Sequence, residues 1–213
     1  RGTAEFICKY FKKGDLIAEL EGSTRDLLTG ERTLLNFIQQ LSGVASVAHT
    51  FQKALEGGKT KVLDTRKTLP GFRTLQKYAV RVGGGSNHRM GLFDMVLVKD
   101  NHIAAAGGVL EALEVVRKNN TENLMVEMEV ESLEDLKKLL NKGVDVIMLD
   151  NMSNEMMAEA LKIIKESGDK VLVEGSGNMT LERAKEIATL GLDYISVGAL
   201  THSVRALDIS MRI

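Results

Sequence analysis

Arg66-Lys67, His88-Arg89 and Lys99-Asp100-Asn101-His102 crowd cationic side chains into three short stretches of a chain whose formal net charge is −1. Two like charges about 4 Å apart repel by about 4 kcal/mol at an effective dielectric of 20. If Arg66, Lys67, His88, Arg89, Lys99 and His102 meet in space, the cluster is costly when empty and relieved by a polyanionic ligand. A smaller set of carboxylates, Glu129 and Asp150, suits a divalent cation such as Mg²⁺ shared with ligand phosphates. Solvated turns and a structural ion-pair network are the plainer uses of the same residues.

These residues need elements to position them. From residue 60 onward, short apolar runs alternate with amphipathic stretches. The runs are Lys61-Val62-Leu63-Asp64, Met95-Val96-Leu97-Val98, Leu124-Met125-Val126, Val146-Ile147-Met148-Leu149, Val171-Leu172-Val173 and Tyr194-Ile195-Ser196-Val197. Leu133 to Leu140, Met157 to Ile164 and Leu181 to Leu190 carry helical periodicity. Strand–helix repetition predicts a parallel α/β sheet, because parallel strands need a crossover. This many units favour a (β/α) barrel over an open sheet, and barrel enzymes place their chemistry at the C-terminal strand ends. Nearly every run here ends in polar residues.

Strand parity points the same way. Over residues 124–130, Leu124, Val126, Met128 and Val130 share one face, while Met125, Glu127 and Glu129 share the other. The apolar face is expected against helices, which turns both carboxylates into the barrel. Met95, Leu97 and Lys99 share a face, as do Val146, Met148 and Asp150. Lys99, Glu129 and Asp150 are thus expected in one lumen.

Glu174-Gly175-Ser176-Gly177-Asn178 leads into a helix near Thr180, and Val197-Gly198-Ala199 precedes a shorter one. Backbone N–H groups at such starts bind phosphate, and two late strands doing so match the usual barrel phosphate site. Ordinary helix capping would also produce them. Gly83-Gly84-Gly85 before His88-Arg89 allows either a close backbone approach to a ligand or a flexible loop.

Residues 1–22 read as short strand and turn material, with Phe6-Ile7-Cys8 apolar and Lys12-Lys13-Gly14-Asp15 a turn. Residues 24–57 read as helical from Ser23, with Leu34, Leu35, Ile38 and Leu41 as the apolar stripe and Gly43 as a break or a close contact.

Composition narrows the function classes. With 213 residues, 44% hydrophobic and 27% charged, the chain can bury a core. No apolar run reaches the roughly 18 residues of a membrane span. The charge balance argues against a protein held on nucleic acid by bulk charge. The single cysteine, Cys8, excludes an internal disulfide framework and a Cys-rich zinc site. A reducing, cytoplasmic setting is expected. The chain opens at Arg1 without Met or a charged-then-apolar leader, which reads as a start inside a domain rather than a secretory start.

Several of these stretches are distinctive together. Asp64-Thr65-Arg66-Lys67-Thr68-Leu69-Pro70-Gly71, Lys77-Tyr78, Asn87-His88-Arg89-Met90-Gly91-Leu92, Lys99-Asp100-Asn101-His102-Ile103, Leu149-Asp150-Asn151, Ser176-Gly177 and Ile195 to Ser203 resemble quinolinate phosphoribosyltransferase, also called nicotinate-nucleotide pyrophosphorylase (carboxylating). The resemblance runs from about Phe6 to the C-terminus and includes Glu31 to Asn36 and Leu41-Ser42-Gly43. Against the family pattern, an N-terminal segment of several dozen residues is expected to be missing from this sequence. Asn178 stands where a second glycine is common, Gly175 where Ala or Ser is, and Leu69 where Thr is frequent. Ser86 varies within the glycine loop.

The resemblance implies an incomplete (β/α) barrel of the type II phosphoribosyltransferases, here 60–205. Beside it would lie a truncated N-terminal α+β domain with connecting helices, 1–57, to which the tail 206–213 returns. It implies transfer of phosphoribosyl from phosphoribosyl pyrophosphate to quinolinate with decarboxylation, with Mg²⁺, in NAD biosynthesis. Lys67, Lys99, Glu129 and Asp150 form the implied catalytic set. Arg66, His88, Arg89 and Lys99 would hold the quinolinate carboxylates, with Lys67 near them and the pyrophosphate. Glu129 and Asp150 would take the ribose hydroxyls, directly or through Mg²⁺. Ser176, Gly177, Asn178 and Gly198 would hold the 5′-phosphate. The family assembles as a dimer or larger, which implies that Arg32 reaches a neighbour's site. A molybdenum-associated relative with another acceptor, a nicotinate-specific transferase and a non-catalytic binder of a phosphorylated ligand are the rival readings.

Overall fold

The structure, a computed structural model, describes residues 11–212. The expected apolar run Phe6-Ile7-Cys8 lies outside the described residues. The turn at Lys12 to Asp15 forms, with Asp15 N–H donating to Lys12 O at 3.0 Å.

Helix α1 (Thr24–Ala54) starts where Ser23 accepts a hydrogen bond from the Asp26 N–H. That bond satisfies one of the donors a helix start leaves open. Its second half is the packed half: Val44, Ala48 and Phe51 join the core. Gly43 is a close contact, not a break. A Cβ there would meet Arg205 O at 2.4 Å, so the C-terminal tail runs directly over the helix backbone. Leu207 N–H donates to Gln39 O at 3.1 Å, and Gln39 Nε2 donates to Ile209 O at 2.8 Å.

The sheet follows: β1 (Lys61–Leu63), β2 (Val96–Val98), β3 (Val126–Val130), β4 (Val146–Asp150), β5 (Leu172–Ser176) and β6 (Tyr194–Ser196). All pairs are parallel, in the order β1-β6-β5-β4-β3-β2. β1 and β2 do not pair, so the ring is open between them. Ser86 fills part of that opening. It lies beside β1, donating to Val62 O at 2.8 Å and accepting from Asp64 N–H at 3.2 Å.

Helices α2 (Arg73–Val82), α3 (Asp100–Ala106), α4 (Val109–Asn119), α5 (Leu133–Leu139), α6 (Asn154–Ser167) and α7 (Leu181–Ile187) connect the strands, and α8 (Ala199–His202) follows β6. Ser132, Ser153 and Thr180 each cap the helix that follows, accepting from the N–H three residues on. Among the described residues no helix is long and apolar enough to cross a membrane.

The strands have two chemically distinct faces, as their alternation predicts. Val62, Val98, Val126, Met128, Val130, Ile147, Leu149, Val173 and Ile195 join the helices in one apolar cluster. Leu63, Leu97, Val146, Met148, Glu127, Glu129, Glu174 and Ser196 are buried outside that cluster and line the inside. The expected inward turn of Glu127 and Glu129 is therefore seen. Strand boundaries move, however. β3 begins at Val126 rather than Leu124, and β5 extends to Ser176.

Candidate active site

A buried polar group inside the barrel is built by two strands and one loop. Glu127 comes from β3 and Glu174 from β5, and both are at most 1% exposed. His88, carried two residues beyond Ser86, reaches both: its Nε2 lies 3.0 Å from Glu127 Oε2 and 3.7 Å from Glu174 Oε2. In a flat sheet, β1 and β3 would be about 19 Å apart at four strand spacings. One imidazole held beside β1 and touching β3 and β5 therefore requires the sheet to be rolled. No aligned donor reaches either Glu127 oxygen or Glu174 Oε1 among the described residues. Burial, reinforced by the Glu127 charge, pushes the Glu174 carboxyl up to about 8. Near neutral pH Glu174 thus carries a proton.

Burial pulls the His88 pKa down, but Glu127 and Glu174 together more than reverse this. His88 Nδ1 accepts the Arg89 N–H at 2.7 Å. Sequence reasoning placed Glu127 in the lumen but gave neither it nor Glu174 a role.

Asp64 is the first clear departure from the strand-end expectation. It is fully buried and pairs with Lys77 from α2, itself 1% exposed. Burial raises the Asp64 carboxyl above its usual range, against Lys77, Asn87 and the His88 N–H, which favour the anion. Lys77 Nζ also donates to His88 O at 2.8 Å, and Asp64 Oδ1 accepts from His88 N–H at 3.0 Å. The pair is a buried anchor for the loop carrying His88 and Arg89. His102 also departs from the expected cluster. Its Nδ1 accepts from Lys99 N–H at 2.9 Å, folding the ring back to close the start of α3.

Nearer the mouth the cations do gather. Arg66 lies close enough to Arg89 that its charge, after burial, is a main reason the Arg89 pKa is lowered. Arg89 Nη1 donates to Met95 O at 3.1 Å, while its Nε is buried without a partner. An empty donor beside a second guanidinium is what an anion would fill. The turn bearing Arg66 is held by α2. Arg73 donates to Arg66 O, Thr68 Oγ1 and Met90 O, and Gln76 accepts from Leu69 N–H while donating to Thr201 O.

Lys99, at the end of β2, pairs with Glu129 Oε2 on β3 at 2.8 Å. Asp150 ends β4 in register with Ser176 on β5. Asn151 N–H donates to Ser176 O at 3.2 Å, and Asn151 Nδ2 to Asp150 Oδ2 at 2.7 Å. Gly177 adopts φ +84° against that turn, where a Cβ would lie 2.2 Å from Asn151 Oδ1. Only glycine fits there. Arg183 of α7 ties the two loops together, with Nε on Asn154 Oδ1 at 3.1 Å, Nη1 on Gly177 O at 2.7 Å and Nη2 on Met152 O. Nothing in the sequence spacing marks this arginine. Just before α8, a Cβ at Gly198 would come within 3.4 Å of Lys67 Cδ, so the stem of Lys67 lies across the start of that helix.

The strand ends thus bring Arg66 beside Arg89, Lys99 beside Glu129, Lys67 beside Gly198, and Asp150 beside the 176–178 loop. Arg32 stands apart, exposed on α1. Residues 44–212 match the family described as quinolinate phosphoribosyl transferase, C-terminal domain, and residues 8–42 its N-terminal domain.

This chain belongs to the quinolinate phosphoribosyltransferase family.

It is 46% identical over 199 residues to a probable nicotinate-nucleotide pyrophosphorylase (carboxylating) of Bacillus subtilis, covering 93% of this chain and 68% of that protein. It is 48% identical over 200 residues to the nicotinate-nucleotide pyrophosphorylase (carboxylating) of Mycobacterium leprae, covering 94% and 70%. The solved structure of NadC from Streptococcus pyogenes superposes with a TM-score of 0.85 at 46% identity, over 95% of this chain and 72% of that one. The incomplete parallel barrel expected for a quinolinate phosphoribosyltransferase is the fold observed.

Proposed function

We propose that the mouth of the barrel transfers phosphoribosyl from phosphoribosyl pyrophosphate to quinolinate with loss of CO₂, giving nicotinate mononucleotide and pyrophosphate. The observation that carries this is the facing pair Arg66 and Arg89, with the buried Arg89 Nε unpartnered. Family membership supplies the reaction; this pair supplies a seat for a dicarboxylate. Arg66, Arg89 and Lys99 hold the two carboxylates. Lys67, lying along Gly198, faces the phosphates, and Ser176, Gly177, Asn178 and Gly198 take the 5′-phosphate.

The residues position and neutralise; none has to act as a nucleophile. The ring nitrogen attacks ribose C1 as the C1–oxygen bond to pyrophosphate breaks, and the bonding pair leaves with pyrophosphate. The nitrogen is then positive. The C2–carboxylate bond breaks next, its electron pair stays on C2 beside that charge, and C2 takes a proton. Arg66 and Arg89 fix the carboxylates so that the nitrogen faces C1, and Lys67 offsets charge on the departing group.

Glu129 and Asp150 end adjacent strands and offer hard oxygen donors, a set that fits Mg²⁺ held jointly with substrate oxygens. When bound, Mg²⁺ supplies charge neutralisation for the pyrophosphate. Without it the same carboxylates accept from ribose hydroxyls. We also assign a homodimer or larger assembly in which Arg32 completes a neighbour's site. Leu28, Leu34 and Phe37, exposed on the same half of α1, support a covered surface there.

The test is product formation from phosphoribosyl pyrophosphate and Mg²⁺ with quinolinate or nicotinate as acceptor. Nicotinate mononucleotide and one CO₂ from quinolinate alone are expected. Product from nicotinate, or none from either, overturns the assignment.

A further inference from the structure

Lys67 and Gly198 meet at the mouth, and neither has a side chain that can fix the meeting. Lys67 is exposed, with a long flexible stem, and Gly198 has no side chain. One buried hydroxyl stands between their two backbones. Thr201, 1% exposed, donates from Oγ1 to Lys67 O at 2.8 Å and lies 3.3 Å from Gly198 O. A hydroxyl has one proton to give, and Gly198 O already accepts the N–H groups of Thr201 and His202, each at 3.1 Å. The shorter contact, to Lys67 O, takes the proton.

Both sides of this bond are braced. The Lys67 N–H donates to Thr65 Oγ1 at 3.0 Å, so the residue is held at both ends of its backbone unit. On the other side, Thr201 O accepts from Gln76 Nε2 at 2.8 Å, and Gln76 Oε1 accepts from Leu69 N–H at 2.9 Å. Gln76 is fully buried on α2. The bonds close a circuit from Lys67 to Thr201, to Gln76, to Leu69 and back along the chain to Lys67. It ties the turn after β1 to the turn after β6, two strands that pair in the sheet.

We propose that Thr201 is a positioning residue for phosphoribosyl pyrophosphate: its hydroxyl registers the backbone of Lys67 against Gly198, so that both face one ligand. The inference rests on the proposed role of Lys67 and Gly198 as phosphate-holding residues. Thr201 does not open onto the mouth, so its effect passes through Lys67. An ammonium on a flexible stem reaches many places from a loose backbone and few from a fixed one. The hydroxyl limits that choice before the ligand arrives, and so lowers the ordering cost of binding.

The plainer use of a buried threonine is packing by its methyl group. The two uses predict opposite orders of damage. Thr201→Val keeps the shape and loses the hydroxyl, whereas Thr201→Ser keeps the hydroxyl and loses the methyl. With the full chain, Mg²⁺ and quinolinate, Thr201→Val is expected to raise KM for phosphoribosyl pyrophosphate roughly fivefold to tenfold, the scale of one lost hydrogen bond. KM for quinolinate should stay within about twofold, and Thr201→Ser should keep both constants within about twofold, on the same scale. This order should hold even if Thr201→Ser has the lower melting temperature of the two. Thr201→Ser worse than Thr201→Val, equal rises in both KM values, or no rise in Thr201→Val overturns the proposal. Should Thr201→Val not fold, Thr201→Ala and Thr201→Ser differ by one hydroxyl only and carry the same expectation.

Calorimetric titration of phosphoribosyl pyrophosphate with Mg²⁺, without acceptor, makes the same comparison in Kd. If the wild-type chain binds phosphoribosyl pyrophosphate but makes no product from quinolinate, the assigned reaction fails. The order of the Kd values still decides the role of Thr201.

Discussion

Lys99 and Glu174 mark the two electrostatic regimes of this barrel, one wet and one dry. The Lys99 side chain is 48% exposed, and its ion pair with Glu129 adds little to stability in that setting. Its value is in the charge it offers a ligand. Lys99→Ala should therefore lower kcat/KM by roughly 100-fold or more, the usual scale for a lost donor to developing charge. The melting temperature should stay within a few degrees of wild type; near-normal rates in the folded variant would remove Lys99 from the site. Glu174 behaves oppositely. Its carboxyl is raised from an ordinary value of 4.5 to about 8 by burial and the Glu127 charge, with His88 opposing and Ser196 bonded to it. Between those values the folded chain keeps a proton that the unfolded chain gives up. Stability from this group is complete below the ordinary carboxylate pKa and is lost as pH rises through about 8. Denaturation curves of wild type and Glu174→Gln from about pH 5 to about pH 9 should show the wild type losing stability relative to the variant as pH rises. Parallel curves would mean that Glu174 is ionised throughout.

Strands and helices place these residues, and the alternation of strands was largely readable from the chain. Period-two patterning over residues 124–130 separated Val126, Met128 and Val130, which pack on helices, from Glu127 and Glu129, which face inward. The same rule put Lys99 and Asp150 at the mouth. It failed at Asp64. A polar residue ending a strand reads as a mouth residue unless its buried partner is known, and Lys77 is an ordinary helical lysine until α2 packs. It failed again for His102, whose position after Lys99 suggested a cation beside a ligand when its work is to close α3. Arg183 was invisible because its three acceptors, Asn154, Gly177 and Met152, come from loops that only folding brings together. Its consequence is testable on the loop it holds. Arg183→Ala should raise KM for phosphoribosyl pyrophosphate about tenfold or more, with KM for quinolinate little changed, and Arg183→Lys should recover only part, since one ammonium cannot replace a planar fork. An unchanged KM would show that the 176–178 loop keeps its shape without the clamp.

At the scale of the whole molecule, the sequence pattern argued for a barrel but left closure open, because pairing between β1 and β2 has no signature in either strand. The assembly was less legible still. Arg32 lies exposed on α1, and only the family resemblance gave it a role. If sites are shared, Arg32→Ala and Lys99→Ala subunits, each impaired alone, should recover part of the activity when mixed. One site in a mixed dimer would then hold both intact residues. No recovery in verified mixed dimers would confine each site to one chain.

The break between β1 and β2 has a further consequence. Arg66 and Arg89 belong to the side that Ser86 extends, and Lys99 ends β2 on the other side. A dicarboxylate gripped by all three would staple the seam that the backbone leaves unzipped. Amide exchange should report it: protection gained on quinolinate binding would concentrate in Val96–Val98 and Asn87–Arg89. The strands β4 and β5, already flanked on both sides, would exchange as before.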